Sequence, residues 1–343
     1  MKRFSVNYAS RIPVYKQLVD HYESLVKSGA YKEGQALPSM NELAMNLDIS
    51  KETVKKAYSI LRDKGYVEAK QGKGFYVASQ DKERKLTVLV LFDKLSQYKQ
   101  VLFDSFTERM GNEAEITIRL HNQSVDLLEY YINENLDNYD YYVITPHFPL
   151  DSKTQKRALK LLGKIPNRKL ILVDRYLESL PGNFGAVYQD FEHDIYEGLT
   201  YGLDKLKTYS KLNVITLPSS MYGTYIQKSV AAFCKEHDIP AEFHSTVTPE
   251  IIRKNEVYLI LNSQLNSELI ELVRRARELN FEIGSEIGII SYNESPTNEI
   301  ILNGLTTVST DFQQMGYLTA KMIHDRAMAK IKCDFHMIRR KTF

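Results

Sequence analysis

The sequence predicts an α+β winged helix-turn-helix followed by a larger α/β domain built as two doubly wound lobes. Three observations carry that reading. Two short amphipathic segments meet at a tight turn ahead of a glycine-tipped hairpin pattern; a polar, charged stretch follows; and from there to the end of the 343 residues, apolar runs alternate with helical-period segments.

The first helix is expected from Val14 to Ser28, where Val14, Leu18, Tyr22 and Leu25/Val26 recur at helical spacing. Ser39 followed three residues later by Glu42 is a capping box, so a second helix starts there, burying Met40, Leu43, Ala44 and Leu47. Asp48-Ile49-Ser50 makes the turn, and Ser50 is placed to cap a third helix running to about Lys64. In that helix Val54, Ala57, Tyr58 and Leu61 face inward, while Lys51, Glu52, Thr53, Lys55 and Lys56 face out. Gly65-Tyr66-Val67 leads into a hairpin with its tip at Gln71-Gly72-Lys73-Gly74, closing on Phe75-Tyr76-Val77. Such a unit lays the N-terminal residues of its third helix on base edges in a major groove, with lysines on phosphates.

Residues 78–85, Ala78 to Lys85, lack apolar periodicity and read as a linker between domains at 1–77 and 86–343. Beyond it, strand-like runs begin at Leu86, Ile116, Tyr141, Leu170, Leu212, Val257 and Ile287, and helical-period segments separate most of them. Strand alternating with helix means a parallel sheet covered on both faces. This many strands in about 260 residues suits two lobes better than one sheet. Ligands bind such sheets at the carboxyl ends of their strands, so the residues just after each run carry the most weight.

Net charge is only +2, yet residues 1–80 hold 13 Lys/Arg against 8 Asp/Glu, which is +5 and leaves −3 for the rest. A basic end on a near-neutral chain suits nucleic acid at that end. Two cysteines, Cys234 and Cys333, are too few for a disulfide framework or zinc cluster. No run approaches the roughly 18 apolar residues that span a bilayer, so a cytoplasmic protein with no membrane partner is expected. The eight histidines are scattered, without close metal pairs, and there is no GxGxxG, GxxxxGK[ST] or GxSxG. No catalytic residue, metal or cofactor is expected, and an enzyme reading rests on the α/β architecture alone.

LPSMNELA, ISKETVKKAY and GYVEAKQGKGFYV, in that order, resemble the GntR family's second helix, recognition helix and wing. The resemblance implies DNA contacts from Ser39, Asn41, Ser50, Lys51, Glu52, Thr53, Lys55, Lys56, Gly72, Lys73 and Gly74. Asn41 stands where the family usually has Arg, which points to a different operator half-site. In the larger domain, four ordered strings resemble the LacI and periplasmic sugar-binding family: Ile171-Leu172-Val173-Asp174-Arg175, Leu259 to Ser263, Ile287 to Asn293, and Leu305 to Gly316. That resemblance implies a periplasmic-binding-protein-like domain whose ligand positions are Tyr98 in the first loop, Asp174, Arg175, Asn262 and Asn293. Gln227 or Lys228 substitutes for a missing Arg on the helix after the second lobe's first strand. His147, just after a strand, is a further cleft candidate, although a loop histidine is more often simply satisfied by its neighbours.

A GntR-like head on a LacI-like sensor resembles the arabinose-type chimeric repressors, with another monosaccharide pathway such as fucose as the alternative specificity. The function implied is a homodimeric repressor of a carbohydrate-use operon that binds double-stranded operator DNA and a sugar effector. The competing function is an α/β enzyme or a sensor for a non-sugar metabolite. Hinge crossings are expected near Gln189–Asp194, Tyr292–Ser295 and Thr310–Phe312.

Overall fold

The computed structural model describes residues 4–8, 10, 12–70, 72–79, 85–261 and 267–343. They form two compact units, Met1–Lys85 and Leu86–Phe343. Most of the expected linker (80–84), Gln71 at the wing tip, and Asn262 lie outside the described residues.

In the first unit, α1 (Val14–Lys27), α2 (Met40–Leu47) and α3 (Lys51–Asp63) precede the antiparallel hairpin of β1 (Val67–Lys70) and β2 (Gly74–Val77). The helix starts follow from the caps. Ser39 Oγ accepts from Glu42 N at 3.2 Å, and Ser50 Oγ accepts from Thr53 N at 3.2 Å. Asp48 takes φ 51°, which ends α2 and makes the turn into α3. Leu18, Val54, Ala57, Tyr58, Leu61 and Val67 are wholly buried in the core beneath.

The second unit holds β3 (Leu86–Phe92), α4 (Gln97–Met110), β4 (Ala114–Leu120), α5 (Val125–Asn135), β5 (Tyr141–Ile144), α6 (Ser152–Leu162), β6 (Leu170–Asp174) and β7 (Gly185–Tyr188). Then come α7 (Asp194–Thr200), α8 (Leu203–Leu206), β8 (Lys211–Ile215), α9 (Gly223–Glu236), β9 (Ala241–His244), β10 (Glu256–Ile260), α10 (Ser267–Glu278) and β11 (Ile287–Tyr292). The chain finishes with β12 (Thr306–Thr310), α11 (Phe312–Asp325), β13 (Lys330–Lys332) and β14 (Phe335–Ile338). Two six-stranded sheets result, ordered β13-β7-β6-β5-β3-β4 in lobe one and β14-β12-β11-β10-β8-β9 in lobe two. All neighbours are parallel except β14, which runs antiparallel to β12. Apolar cores cover both faces of each sheet.

The chain passes between lobes three times: from β7 to α7, from β12 to α11, and from β13 to β14. Two of these match the expected hinges, but Tyr292–Ser295 is not a crossing. Tyr292 ends β11, the chain stays in lobe two, and the third crossing runs through Cys333–Asp334. The single helical period read over Asp194–Leu206 breaks into α7 and α8 at Gly202, where a Cβ would lie 2.6 Å from Met337 Sδ.

Candidate functional site

On the first unit, the outward side of α3 carries Lys51, Glu52, Lys55 and Lys56, all exposed, opposite the buried Val54, Ala57, Tyr58 and Leu61. Asn41 is exposed near the start of α2, and Gly72, Lys73 and Gly74 are exposed on the wing. Gly72 and Gly74 sit at φ 70° and 95°, which a side chain would strain, so glycine there shapes the wing. Ser39, Ser50 and Thr53 are engaged in capping, the Ser50 and Thr53 hydroxyls lying 2.8 Å apart. Lys56 departs from the set: its ammonium rests 3.9 Å from the centre of the Tyr15 ring on α1.

In the second unit, the carboxyl ends of strands from both sheets converge on a cavity of about 310 Å³. Asp93 follows β3, His147 follows β5, Asp174 ends β6, Gln189 follows β7, Tyr292 ends β11 and Asn293 comes next; all of them line the cavity. Asp174 and Asn293 both adopt left-handed backbone, with φ 72° and 69°. Asp and Asn tolerate that conformation better than most side chains, and such strain clusters at binding sites.

The floor is a buried charged network. Lys99, one turn into α4, donates to Asp93 and lies 3.5 Å from Asp174 Oδ2. Thr145 Oγ1 donates to Asp93 Oδ1 at 3.1 Å, and the Gln189 amide donates to Asp174 Oδ1. His147 Nε2 is 2.8 Å from Asp174 Oδ2, and its Nδ1 is 2.7 Å from the Tyr222 hydroxyl. Burial alone would push the Asp174 carboxyl up, but His147, Lys99 and Gln189 outweigh it and hold the group below the usual carboxylate range. Asp93 is depressed in the same way against its burial, by His147 and Lys99. For Lys99, burial acts to discharge the ammonium, and Tyr98, Asp174 and Asp93 reverse that. Asp93, Asp174 and Lys99 are therefore charged and paired with one another.

Tyr222, at the start of α9, bridges the lobes. Its ring stacks on Phe191 at 3.9 Å and 13°, with the Arg175 guanidinium 5.5 Å from its centre. His147 thus joins the ionised Asp174 through Nε2 and the Tyr222 hydroxyl through Nδ1. Burial pushes the Tyr222 hydroxyl well up, with Arg175 opposing, so the phenol keeps its proton, and its contact with His147 links the lobes through an Asp-His-Tyr chain. Gln97 adds a second bridge, accepting from Ser295 Oγ at 3.2 Å and Thr297 Oγ1 at 3.3 Å.

Of the expected ligand positions, Tyr98, His147, Asp174 and Asn293 line the cavity. Tyr98 sits in the first turn of α4 rather than in a loop, and its ring lies 4.6 Å from Phe312. Burial pushes its hydroxyl up to about 12. Asp174 and Arg175 do not pair with one another; Arg175 donates to the Pro146 carbonyl at 3.2 Å and covers Tyr222. Gln227 is not among the lining residues, because α9 turns Ile226 inward and leaves Lys228 exposed. Lys99, Asp93 and Gln189 were missed. A lysine in an amphipathic helix reads as solvated, and only the fold brings it between two carboxylates.

Residues 14–77 match the model of bacterial regulatory proteins of the gntR family, and residues 264–338 match the periplasmic binding protein-like domain. The transcriptional repressor YtrA of Bacillus subtilis is 33% identical over 100 residues, which is 28% of this chain and 73% of YtrA. This chain belongs to the GntR family. It is a DNA-binding transcription regulator whose head carries an α/β, periplasmic-binding-protein-like second unit. The match spans only 34% and 36% of the next two curated relatives. Among solved structures, the Lac repressor dimer bound to operator and the anti-inducer ONPF has a TM-score of 0.58 at 15% identity, covering 76% of this chain and 94% of that one. A LacI family regulator from Lactobacillus casei with bound glucose has a TM-score of 0.56 at 12% identity, covering 75% and 99%. These likenesses concern the fold. Among the described residues, no cluster of His, Cys, Asp or Glu could hold a metal ion, and no helix is long and apolar enough to cross a membrane.

Proposed function

We propose that this GntR-family regulator represses a carbohydrate-use operon and is controlled by a monosaccharide bound in the cleft of its second unit. One observation carries the reading: Asn293 Oδ1 is buried at the cleft, with no hydrogen-bond partner among the described residues. A buried acceptor left unpaired costs about 1–3 kcal/mol, and a ligand hydroxyl removes that cost. The surroundings suit a sugar, with a paired polar floor for hydroxyls and the Tyr98 and Tyr292 rings for C–H faces. The glucose held by the Lactobacillus casei neighbour supports the same class. Operator DNA is held by the outer side of α3 and by the wing, and specific binding uses two heads of a homodimer.

A thermal-shift panel of monosaccharides, their phosphates and non-sugar metabolites tests the cleft. A true effector at 100 times its Kd adds about 2.7 kcal/mol, roughly 5–10 °C for a unit of this size, and should also change retention of operator DNA in a gel shift. Stabilisation by a non-sugar metabolite alone overturns the sugar reading in favour of a different sensor.

A further inference from the structure

Glu52 is a negative charge on the side of the head that must meet a polyanion. It is the second residue of α3, exposed, and follows Lys51 directly. Lys55 and Lys56 lie three and four residues on, at the spacing for intrahelical ion pairs. Yet no described residue forms a salt bridge or hydrogen bond with the Glu52 carboxylate, and Lys56 is turned onto Tyr15 instead. A carboxylate free of such pairing would weaken DNA binding by repulsion wherever it faced the phosphates. Its place in the first turn suits the helix dipole, but toward DNA it is favourable only at the groove floor, where base edges present amino donors.

We propose that Glu52 sets the base preference of this regulator by accepting from the N4 amino group of a cytosine in each operator half-site. This rests on the reading of α3 as the DNA-contacting helix. Cytosine is selected by elimination. Guanine and thymine present acceptors in the major groove, which repel a carboxylate, and adenine sets its N7 acceptor beside its N6 donor. Cytosine offers the donor alone. N-terminal residues of a recognition helix are those that reach base edges, and Glu52 occupies that stretch. The neighbouring Lys51 and Lys55 supply attraction to the backbone without sequence information.

The test is selection of full-length protein on a duplex DNA pool with a randomised 20-base-pair segment, using wild type, Glu52→Gln, Glu52→Ala and Lys55→Ala. Circular dichroism confirms that each variant is folded, and Glu52→Gln keeps the shape if Glu52→Ala does not fold. Wild type should favour cytosine at one position per half-site by roughly 5- to 150-fold. Glu52→Gln should move that position toward adenine, and Glu52→Ala should flatten it while leaving the others intact. Lys55→Ala should lower affinity on every sequence with preferences unchanged. Unaltered preferences in both Glu52 variants would show that the carboxylate serves only the helix dipole. A uniform gain of affinity would show that it merely repels phosphates. Either result overturns the proposal while the Lys55→Ala result still upholds the DNA-contacting face. Failure of the wild type to enrich any sequence removes that face as well.

Discussion

Four exposed charges on α3 divide by where each side chain goes. Lys51 and Lys55 are exposed on the outer side, whereas the Lys56 ammonium is seated over Tyr15. Replacing Lys51, Lys55 or Lys73 by Ala should therefore lower operator affinity and reduce the slope of log K against log salt by about one unit per contact. Lys56→Ala should leave that slope nearly unchanged and instead lower the stability of the head by about 0.5–1 kcal/mol, the worth of an exposed cation–π contact. Salt titrations of operator binding, with thermal melts of the same variants, separate the two. A full unit of slope lost in Lys56→Ala would mean that its contact with Tyr15 is surrendered on DNA. At the cleft, Asn293→Ala should weaken effector binding about tenfold or more by deleting the open acceptor, with operator affinity intact. Calorimetry giving wild-type effector affinity would move the ligand elsewhere.

The contact of α4 with α11 shows how an element depends on one small residue. A Cβ at Gly316 would lie 2.3 Å from the Leu102 carbonyl oxygen and 2.8 Å from Phe106 N, which are backbone atoms that cannot turn aside. Gly316→Ala must push the helices apart, and about 1–3 kcal/mol of destabilisation is expected in denaturant titrations. Unchanged stability would mean that the helices separate without loss. At the β7-to-α7 crossing, Asp194 on α7 meets Lys332 of β13 at 2.8 Å, joining the two lobes beside the hinge. Burial pushes the Asp194 carboxyl up to about 6, although Lys332 and the Asp190 amide pull it down. Because the folded state holds this proton more tightly than the unfolded chain, stability should fall as pH rises from about 4 through 6. Asp190, Glu197 and Lys332 are the charged groups around it. Asp194→Asn should remove that component, so its melting temperature should vary less between pH 5 and 7 than the wild type's. Parallel pH profiles for the two proteins would show that Asp194 does not titrate there.

For the whole molecule, the basic head has recognition features and the second unit has the cleft, so effector control requires a free-energy coupling between them. A ligand shifts operator affinity only by the difference in its affinity for the two states. With typical couplings of about 1–3 kcal/mol, a saturating effector should change operator affinity roughly 5- to 150-fold, and operator should change effector affinity by the same factor. Measuring both, on free and operator-bound protein, checks the reciprocity. Equal affinities in both comparisons, with effector demonstrably bound, would mean that the cleft is not a regulatory input.

The head was legible residue by residue because local rules decide it. Ser39 and Ser50 cap their helices, Asp48 makes the turn, and the 3.6-residue period of Val54, Ala57, Tyr58 and Leu61 fixes which side of α3 is buried. The alternation of strands and helices likewise announced the two sheets, parallel except for the antiparallel edge strand β14, and Asp174 and Asn293 were found because they end apolar runs. The short strands β7, β9, β13 and β14 escaped although the equally short β5 did not: Tyr141–Ile144 is an unbroken apolar run, whereas Gly185, Glu242 and His244, Lys330 and Lys332, and His336 interrupt the others, which are ordered by the neighbours they join. Tertiary structure alone decided that the third crossing runs through Cys333–Asp334, that Lys99 lies between Asp93 and Asp174, and that Tyr222 reaches His147 across the cleft. These are contacts between residues 6 to 75 positions apart. No local propensity records them, because the energy of a buried charge or a lobe-bridging hydroxyl depends on what the rest of the chain places around it.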